Sequence, residues 1–461
     1  YQANLAMPLA KRLKQQPREV AEQIIAKLNL GDRFDEPTLA GPGFINLTIR
    51  PAALGEVANA LLADDRLGVP TAQAPQTVVI DYSSPNVAKE MHVGHLRSTV
   101  IGDALARVLA FQGHKVVAQN HVGDWGTQFG MLIEHLLEHG GADGGQGELT
   151  TIYKQAKQRF DAEPDFADRA KQRVVKLQGG DEETLAVWRK LVDQSATYFE
   201  SIYERLGVQL TTSDLCGESF YNPTLPGVVG RLERDGALEV HNEAKGVFVE
   251  GYFDREGNPF HMVVQKTDGA FLYATTDFAA AQHRIEALKG DRLIYVVGSP
   301  QRQHFEMLFA SLRKYGWADD SVRLDYVPFG SVLGEDGKMF KTRSGETVRL
   351  VDLIDEAESR AIAVCKEKNP ALTCGEASNV GKVVGIGALK YADLSSDRVK
   401  DYKFSWDRML SLEGNTAPYL INAYVRVHGI FRKGEIDFDT FTAGRVQIDA
   451  PNEKALVLKL M

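Results

Sequence analysis

The chain has 461 residues, of which 44% are apolar and 25% are charged, and its net charge is −9. The length exceeds what one hydrophobic core ordinarily fills and predicts roughly two to four domains, whereas the composition excludes a disordered or fibrous chain. No apolar stretch is long enough to cross a bilayer and no secretory signal opens the sequence, so we expect a cytoplasmic protein without membrane association. The acidic balance argues mildly against a nucleic-acid partner, although a local basic patch can supply the attraction.

The cysteines give no sign of a metal centre. Cys216, Cys365 and Cys374 are odd in number and lack the spacing of metal ligands. They are expected to be reduced thiols that serve packing, and the sequence predicts no protein-held metal.

The first 75 residues are predicted to form a small α+β domain. An amphipathic helix spans 18–30, a strand spans 43–49, and the segment 71–76 is typical of a linker. The sequence begins at Tyr1 rather than Met, and residues 453–461 have the pattern of a helix cut short. We therefore expect a fragment of a longer protein.

A strand, a loop, a helix and a second strand follow, and this order predicts a βαβ unit. Residues 77–82 are a β-branched apolar run, Pro85 opposes regular structure, and apolar positions after His92 recur at helical spacing until the strand-like run 115–120. Ligands of such units bind at the carboxyl ends of the strands, beside helix N-termini. The prediction places His92 and His95 at that point.

The pattern His92-Val93-Gly94-His95 suits the phosphate chain of a nucleotide. Two imidazoles at i and i+3 share one helix face, and the unpaired N–H groups of a helix start attract an anion. Gly94 lets a nucleotide approach the backbone closely. A helix-capping pair and a metal site are the alternatives, but no further ligand for a metal is evident nearby.

The segment from about 140 to 290 is predicted to be an insertion between two halves of one sheet. It opens with a glycine-rich loop and continues as long helices, whereas 292–298 and 324–333 have the pattern of returning strands. The catalytic domain is expected to span 76–355, and a helical stem with the truncated start of a bundle to span 356–461. The predicted fold class is α/β, with a Rossmann-like nucleotide-binding catalytic domain, an α+β N-terminal domain and a helical C-terminal domain.

A second motif, Gly337-Lys338-Met339-Phe340-Lys341, lies far downstream of the histidines. Two lysines on a glycine-flanked loop can supply positive charge to a departing pyrophosphate. Each motif alone is short enough to arise by chance, so the ordered pair carries the argument. A solvated basic turn is the alternative for the lysines.

The two motifs in this order resemble those of class I aminoacyl-tRNA synthetases, and longer stretches resemble the arginyl-tRNA synthetase family. The stretches are 84–95, 120–130, 272–277 and 413–419. The resemblance extends from 41 to about 426, so it covers most of the chain. Residues 120–130 are highly specific, whereas the histidine pattern alone is not.

The resemblance implies that ATP is bound by His92, Gly94, His95 and Lys341. Lys341 matches the second lysine of the family's mobile loop, but Phe340 stands where the class pattern has serine. Many arginyl enzymes depart from this loop motif, and a lysine matching Lys89 is then thought to take over. The division of the catalytic role among Lys89, Lys338 and Lys341 is therefore left open.

The resemblance also implies an arginine pocket made of Asp81, Ser84, Asn86, His92, Tyr273, Asp277 and Gln301. A guanidinium is a fixed fork of donors that pairs best with carboxylates, so Asp277 is expected to hold it while Tyr273 packs on it or bonds to it. Asp81 and Asn86 would hold the α-amino end. Two alternatives remain: Asp277 as the cap of a helix over 278–288, and Tyr273 as a packed aromatic.

The implied reaction forms arginyl-adenylate and pyrophosphate from L-arginine and ATP, and then transfers arginine to the 3′-terminal adenosine of tRNA(Arg). Mg²⁺ is expected to accompany ATP, and a monomer is expected. One rival is a synthetase for another amino acid, but the spacing of the motifs leaves little room for an editing domain. A small nucleotidyltransferase is disfavoured by the length of the chain. A paralogue that binds RNA or protein without catalysis is disfavoured by intact His92, His95 and Lys341.

Overall fold

The computed structural model describes residues 1–139, 146–241, 243–254, 256–334, 336–340, 347–441 and 444–461. Its strands are β1 (Gln2–Ala3), β2 (Thr38–Ala40), β3 (Phe44–Asn46), β4 (Thr77–Asp81), β5 (Lys115–Gln119), β6 (Leu238–His241), β7 (Ala244–Phe253), β8 (Pro259–Gln265), β9 (Arg292–Gly298), β10 (Arg323–Phe329), β11 (Val332–Leu333) and β12 (Tyr402–Lys403).

Helices account for most of the remaining regular structure. The α-helices are α1 (Ala6–Leu13), α2 (Pro17–Ile25), α3 (Pro51–Leu62), α4 (Val93–Phe111), α5 (Thr127–His139), α6 (Gln146–Ala162), α7 (Pro164–Gln178), α8 (Glu182–Leu206), α9 (Glu218–Tyr221), α10 (Leu225–Arg234), α11 (Tyr273–Glu286), α12 (Arg302–Lys314), α13 (Leu350–Lys368), α14 (Cys374–Leu394), α15 (Trp406–Met409), α16 (Ala417–Lys433) and α17 (Pro451–Leu460). Short 3-10 helices span Gly31–Arg33, Thr212–Asp214, Asn222–Thr224 and Ser299–Gln301.

These elements form two compact units, one of residues 1–71 with 427–461 and the other of residues 72–426. This division reflects only how densely the residues contact one another, and it does not identify functional domains. The domain boundaries predicted at 75 and 355 therefore stay predictions. In the described part of the chain, no helix is long and apolar enough to cross a membrane.

In the first unit, the strands form an antiparallel sheet in the order β1-β3-β2. Helices α1 and α2 bury small and β-branched side chains against it, while Leu54 of α3 packs with Ile448 and Val457. Proline at the first position begins both α2 and α3, where no backbone N–H is needed. The helix predicted to reach residue 30 ends at Ile25, because the turn before Gly31 interrupts it.

The second unit is built on a parallel sheet of order β10-β9-β4-β5. Alternate side chains of β4 enter two cores: Val78 and Ile80 join the cluster that includes α4, α8, α13 and α14, whereas Val79 joins the cluster that includes α10, α11 and α12. Helices thus cover both faces, as a parallel sheet requires. The α/β fold class is confirmed, and the strands predicted near 77, 115 and 292 are present.

Two features between and after these strands were not predicted. The chain between β5 and β9 contains an antiparallel sheet of order β6-β7-β8 in addition to the expected helices, and the predicted glycine-rich loop lies largely outside the described residues. The strand predicted over 324–333 is two strands, β10 and β11. Between them lies Gly330, where a Cβ atom would be 2.5 Å from the carbonyl carbon of Lys400, so the close approach of residue 400 requires glycine there. Strand β11 then pairs with β12 instead of continuing β10.

Candidate active site

The parallel sheet has a topological switch point between β4 and β9. From β4 the chain passes through α4 to β5 on one side, and it later returns to β9 on the other side. A crevice therefore opens at the carboxyl ends of β4 and β9, where ligands of open α/β sheets bind. A cleft of about 540 Å³ lies there.

Most of the residues predicted from the sequence line this cleft, namely Asp81, Ser84, Asn86, Gly94, His95, Tyr273, Asp277 and Gln301. Within the described part of the chain, His92, Lys89 and Lys338 are not lining residues. Lys341 lies outside the described residues. The cleft is also lined by Glu218 and His304, which the sequence did not indicate.

His92 and His95 cap the start of α4 with their own side chains. The Nδ1 atom of His92 accepts a hydrogen bond of 3.0 Å from the Gly94 N–H. The Nδ1 atom of His95 accepts one of 3.0 Å from the His92 N–H, and the two ring centroids are 4.0 Å apart. The capping alternative is therefore correct for the Nδ1 atoms. A neutral ring whose Nδ1 accepts carries its proton on Nε2, so each ring retains one N–H donor.

Burial favours the neutral form of both imidazoles. Burial, with a smaller contribution from the neighbouring His92, lowers the pKa of His95 to about 3. Burial also lowers the pKa of His92, and the Lys89 ammonium acts in the same direction. In this neutral form the pair offers hydrogen-bond donors and no positive charge.

The loop after β4 holds a strained backbone against buried polar partners. Ser83 and Ser84 have φ angles of 73° and 48°, a region that costs a side chain-bearing residue about 1 kcal/mol or more. The Ser84 N–H donates to the Asn120 side chain at 2.9 Å, and the Ser83 hydroxyl lies 2.7 Å from the Tyr203 hydroxyl. These bonds fix the loop that presents Ser84 and Asn86 to the cleft.

Asp81, the last residue of β4, is paired within the protein. One carboxylate oxygen accepts from the Ser84 hydroxyl at 3.0 Å, and the other accepts from Nη2 of Arg284 at 2.8 Å. Arg284 lies on α11, is 1% exposed, and also donates through Nε to the Gln119 side chain at 2.6 Å. A buried guanidinium needs such partners, because an unpaired interior charge is costly. Arg284 therefore already occupies one oxygen of Asp81.

Helix α11 decides both alternatives that the sequence left open for its residues. The helix begins at Tyr273 with Leu272 as its N-cap, so Asp277 lies inside the helix and the capping alternative is wrong. Its Oδ2 lies 2.6 Å from Nε2 of His304. Tyr273 is 61% exposed, so the alternative of a packed aromatic is wrong as well. Its ring centroid is 5.1 Å from that of His304.

Glu218 is a second carboxylate on the cleft beside Asp277. Burial raises its pKa to about 7, and the charges of Asp124 and Asp277 contribute to the rise. Asp124 itself is buried and serves structure, because its two oxygens accept from the Ser219 N–H at 2.8 Å and the Ser219 hydroxyl at 2.6 Å. These bonds bring Glu218 to the cleft. No periodicity or motif in the sequence marks that position.

Lys89 and Lys338, the two predicted lysines that the structure describes, have different surroundings. The Lys89 ammonium is 4.5 Å from the centre of the Tyr153 ring, and it is close enough to His92 to affect the pKa of that imidazole. Lys338 is exposed on a turn that Gly337 enters with a φ of 75°. A bridge between Leu333 and Met339 closes this turn.

Comparisons with known proteins agree over the whole chain. A family model described as tRNA synthetases class I (R), catalytic domain, matches residues 56–406, and one described as arginyl tRNA synthetase N terminal domain matches residues 1–49. Arginine–tRNA ligases of Nostoc sp. and Escherichia coli are 51% and 49% identical to this chain, covering 100% of it and 80% of their own length.

Solved structures give the same result. The arginyl-tRNA synthetase of Plasmodium falciparum has a TM-score of 0.82 and 31% identity, covering 99% of this chain and 79% of its own. The Thermus thermophilus arginyl-tRNA synthetase has a TM-score of 0.78 over 100% of this chain and 80% of its own. At 23% identity, the latter is a similarity of fold alone.

Proposed function

We propose, from the premise that this chain belongs to the arginyl-tRNA synthetase family and is an arginine–tRNA ligase, that the cleft at the switch point binds ATP and arginine together. The observation that carries the proposal is the presence of two chemically different groups at one cleft. The histidine group (His92 and His95) starts a helix, offers N–H donors and reaches the cleft through His95, and the acidic group (Asp277 and Glu218) lines the cleft and offers carboxylates.

The histidine group is assigned to the phosphates of ATP. Backbone N–H groups at the start of α4 and its dipole attract an anion, and the Nε2–H groups of the two rings add donors. Gly94 lines the cleft, and a Cβ atom there would lie 2.8 Å from the His92 ring, so only glycine leaves room for both the ring and a phosphate. Positive charge would come from Lys89, Lys338 and Lys341.

The acidic group is assigned to the arginine guanidinium. A planar fork of N–H donors pairs well with two carboxylates, and exposed Tyr273 offers a ring face for stacking. Asn86, Ser84 and Gln301 would contact the α-amino and carboxyl groups. Arg284 already donates to one oxygen of Asp81, and the other oxygen accepts from the Ser84 hydroxyl. Asp81 would therefore bind the amino group through that second oxygen, together with Ser84.

Both chemical steps can proceed without a protein nucleophile. A carboxylate oxygen of arginine attacks the α-phosphorus of ATP, and the bond to pyrophosphate breaks as the new P–O bond forms. A hydroxyl of the terminal adenosine of tRNA(Arg) then attacks the arginyl carbonyl, loses its proton, and releases AMP. The protein contributes orientation and electrostatic stabilisation to such transfers.

Mg²⁺ is expected to enter with ATP. In the described ranges, no group of three or more His, Cys, Asp or Glu side chains is arranged to hold a metal ion. Mg²⁺ is commonly held by substrate phosphates and water with few protein ligands, so a metal carried by ATP suits this cleft. We also propose that the protein acts as a monomer in the cytoplasm.

The proposal is tested by assaying all twenty amino acids with ATP and total tRNA and measuring charged tRNA. Arginine alone should be transferred. Efficient transfer of a different amino acid would refute the assignment of the acidic group. Binding of tRNA without transfer of any amino acid would favour the non-catalytic paralogue.

A further inference from the structure

Arg97 connects the histidine helix to three distant parts of the chain. It lies on α4 two residues after His95 and is 1% exposed. Its Nε donates to the two carboxylate oxygens of Asp393 at 3.3 and 3.2 Å. Its Nη1 donates to the backbone carbonyl oxygens of Gly330 at 2.7 Å and Lys400 at 3.0 Å.

The contacts to Gly330 and Lys400 lie next to the residues that support the turn carrying Lys338, which we call the lysine turn (residues 336–340). We call residues 398–404 the platform segment. Its strand β12 pairs with β11, and the Phe404 N–H donates to the Leu333 carbonyl at 2.8 Å. The Phe340 ring stacks on the Phe404 ring with a centroid distance of 4.8 Å. The turn that carries Lys338 therefore rests on the platform segment.

The contact between Gly330 and the platform segment leaves little freedom. The Gly330 N–H donates to the Arg398 carbonyl at 2.9 Å, while a Cβ atom at Gly330 would lie 2.5 Å from the Lys400 carbonyl carbon. Arg97 donates to both Gly330 and Lys400 from α4. One guanidinium thus joins both sides of this close contact to the helix that His92 begins.

A buried ion pair such as Arg97–Asp393 does not by itself stabilise the folded state, because the cost of desolvating the two charges offsets much of their attraction. The forked geometry of Arg97 does have a specific consequence. One nitrogen satisfies a carboxylate while another fixes two backbone carbonyls, and a lysine ammonium in the same place is a compact donor without that fork. The relative position of α4, Gly330 and the platform segment therefore depends on arginine at position 97.

We propose that Arg97 is a positioning residue for the adenylation step, holding the histidine helix and the lysine turn in one fixed arrangement. The inference rests on the proposed roles of the two motifs. Misplacement of reacting groups by about 1 Å can cost on the order of a hundredfold in rate, so loss of this connection should slow chemistry more than it weakens substrate binding.

The test compares Arg97→Lys with Arg173→Lys. Arg173 serves as the control, because it is a half-buried arginine with the same forked geometry, donating to Glu134 at 2.9 Å and to Thr184 at 3.0 Å, while its partners lie away from the cleft. Arg97→Lys keeps a cation beside Asp393 and loses the fork to the carbonyls. Single-turnover arginyl-tRNA formation, normalised to the folded fraction, is measured with melting temperature and arginine affinity.

Arg97→Lys should slow the single-turnover rate by about tenfold to a hundredfold with arginine affinity within twofold of the parent. Arg173→Lys should lower the melting temperature and leave the normalised rate unchanged. A third variant, Gly330→Ala, should reproduce the slow rate by pushing the turn away from the platform segment. Equal normalised rates for Arg97→Lys and Arg173→Lys would overturn the proposal. Failure of the parent protein to charge tRNA with arginine would instead refute the proposed function.

Discussion

His95 and Glu218 line the same cleft, and burial moves both of them toward the neutral state. For the imidazoles, burial lowers the pKa and so favours the uncharged rings. For Glu218, burial raises the pKa to about 7, so its charge depends on what lies beside it. A cation that binds there favours the ionised carboxylate, whereas a phosphate at the histidines meets donors without charge.

This difference shows which groups must supply charge on each side of the cleft. On the phosphate side, positive charge has to come from the helix start and from lysines outside the histidine group. On the arginine side, the ligand itself brings the charge that ionises the second carboxylate. Both carboxylates also have a partner within the protein, because Asp277 lies 2.6 Å from Nε2 of His304 and Glu218 accepts a hydrogen bond from the Trp125 backbone.

The largest expected effect tests whether the lysines supply the missing charge. Lys89→Ala and Lys341→Ala should each slow adenylate formation by about a hundredfold or more, since losing one such contact costs roughly 3–4 kcal/mol in the transition state. Arginine affinity should stay unchanged. Rapid-quench single-turnover assays measure the rate, with Lys338→Ala as the comparison that divides the role. Rates within a factor of two of the parent for both variants would remove these lysines from the mechanism.

The acidic group is tested by Asp277→Asn. Arginine binding should weaken by about 3 kcal/mol, roughly a hundredfold, because the guanidinium loses a charged partner. Calorimetric titration measures the affinity, and exposed Asp320→Asn serves as the control for an unspecific change of charge. Since Asp277 lies inside α11 and does not cap it, the melting temperature should change little. Normal arginine affinity in this variant would reassign the guanidinium to another carboxylate.

The dependence of arginine binding on pH tests the ionisation of Glu218. The arginine cation favours the carboxylate form, so binding releases a proton and tightens as the pH rises through about 7. At pH 6 only about one-tenth of this group is ionised, which predicts about tenfold weaker binding at pH 6 than at pH 8. Glu218→Gln should abolish the slope. A slope that persists unchanged in that variant would show that a different group titrates.

The smallest effect separates the two nitrogens of His95. An asparagine amide can replace Nδ1 as the capping acceptor but does not reach the position of Nε2, whereas glutamine reaches Nε2 and loses the cap. His95→Asn should keep the melting temperature and weaken ATP binding by about 1 kcal/mol, the value of a neutral hydrogen bond. His95→Gln should show the reverse, with about 1 kcal/mol lost from stability. Equal ATP affinities in both variants would contradict a role for the Nε2–H donor.

The sequence alone determined the features that depend on local periodicity. Apolar runs of strand length predicted β4, β5 and β9, and helical spacing after His92 predicted α4 with the histidines at its start. The order of these elements implied a βαβ unit and placed His92 and His95, the candidate phosphate-binding residues, at the carboxyl end of a strand. The lysine motif could be recognised in the same way, because a short motif needs only neighbouring residues.

The tertiary structure alone decided which charged residues lie inside the protein and with which partners. Arginine is usually a surface residue, yet Arg97 and Arg284 are buried and pair with Asp393 and Asp81 at sequence separations of 296 and 203. The start of α11 was likewise set by packing, because the Leu272 N–H bonds to the Val264 carbonyl of β8 at 3.2 Å. Such partners are brought together by chain topology, and no local pattern of residues encodes a contact across that distance.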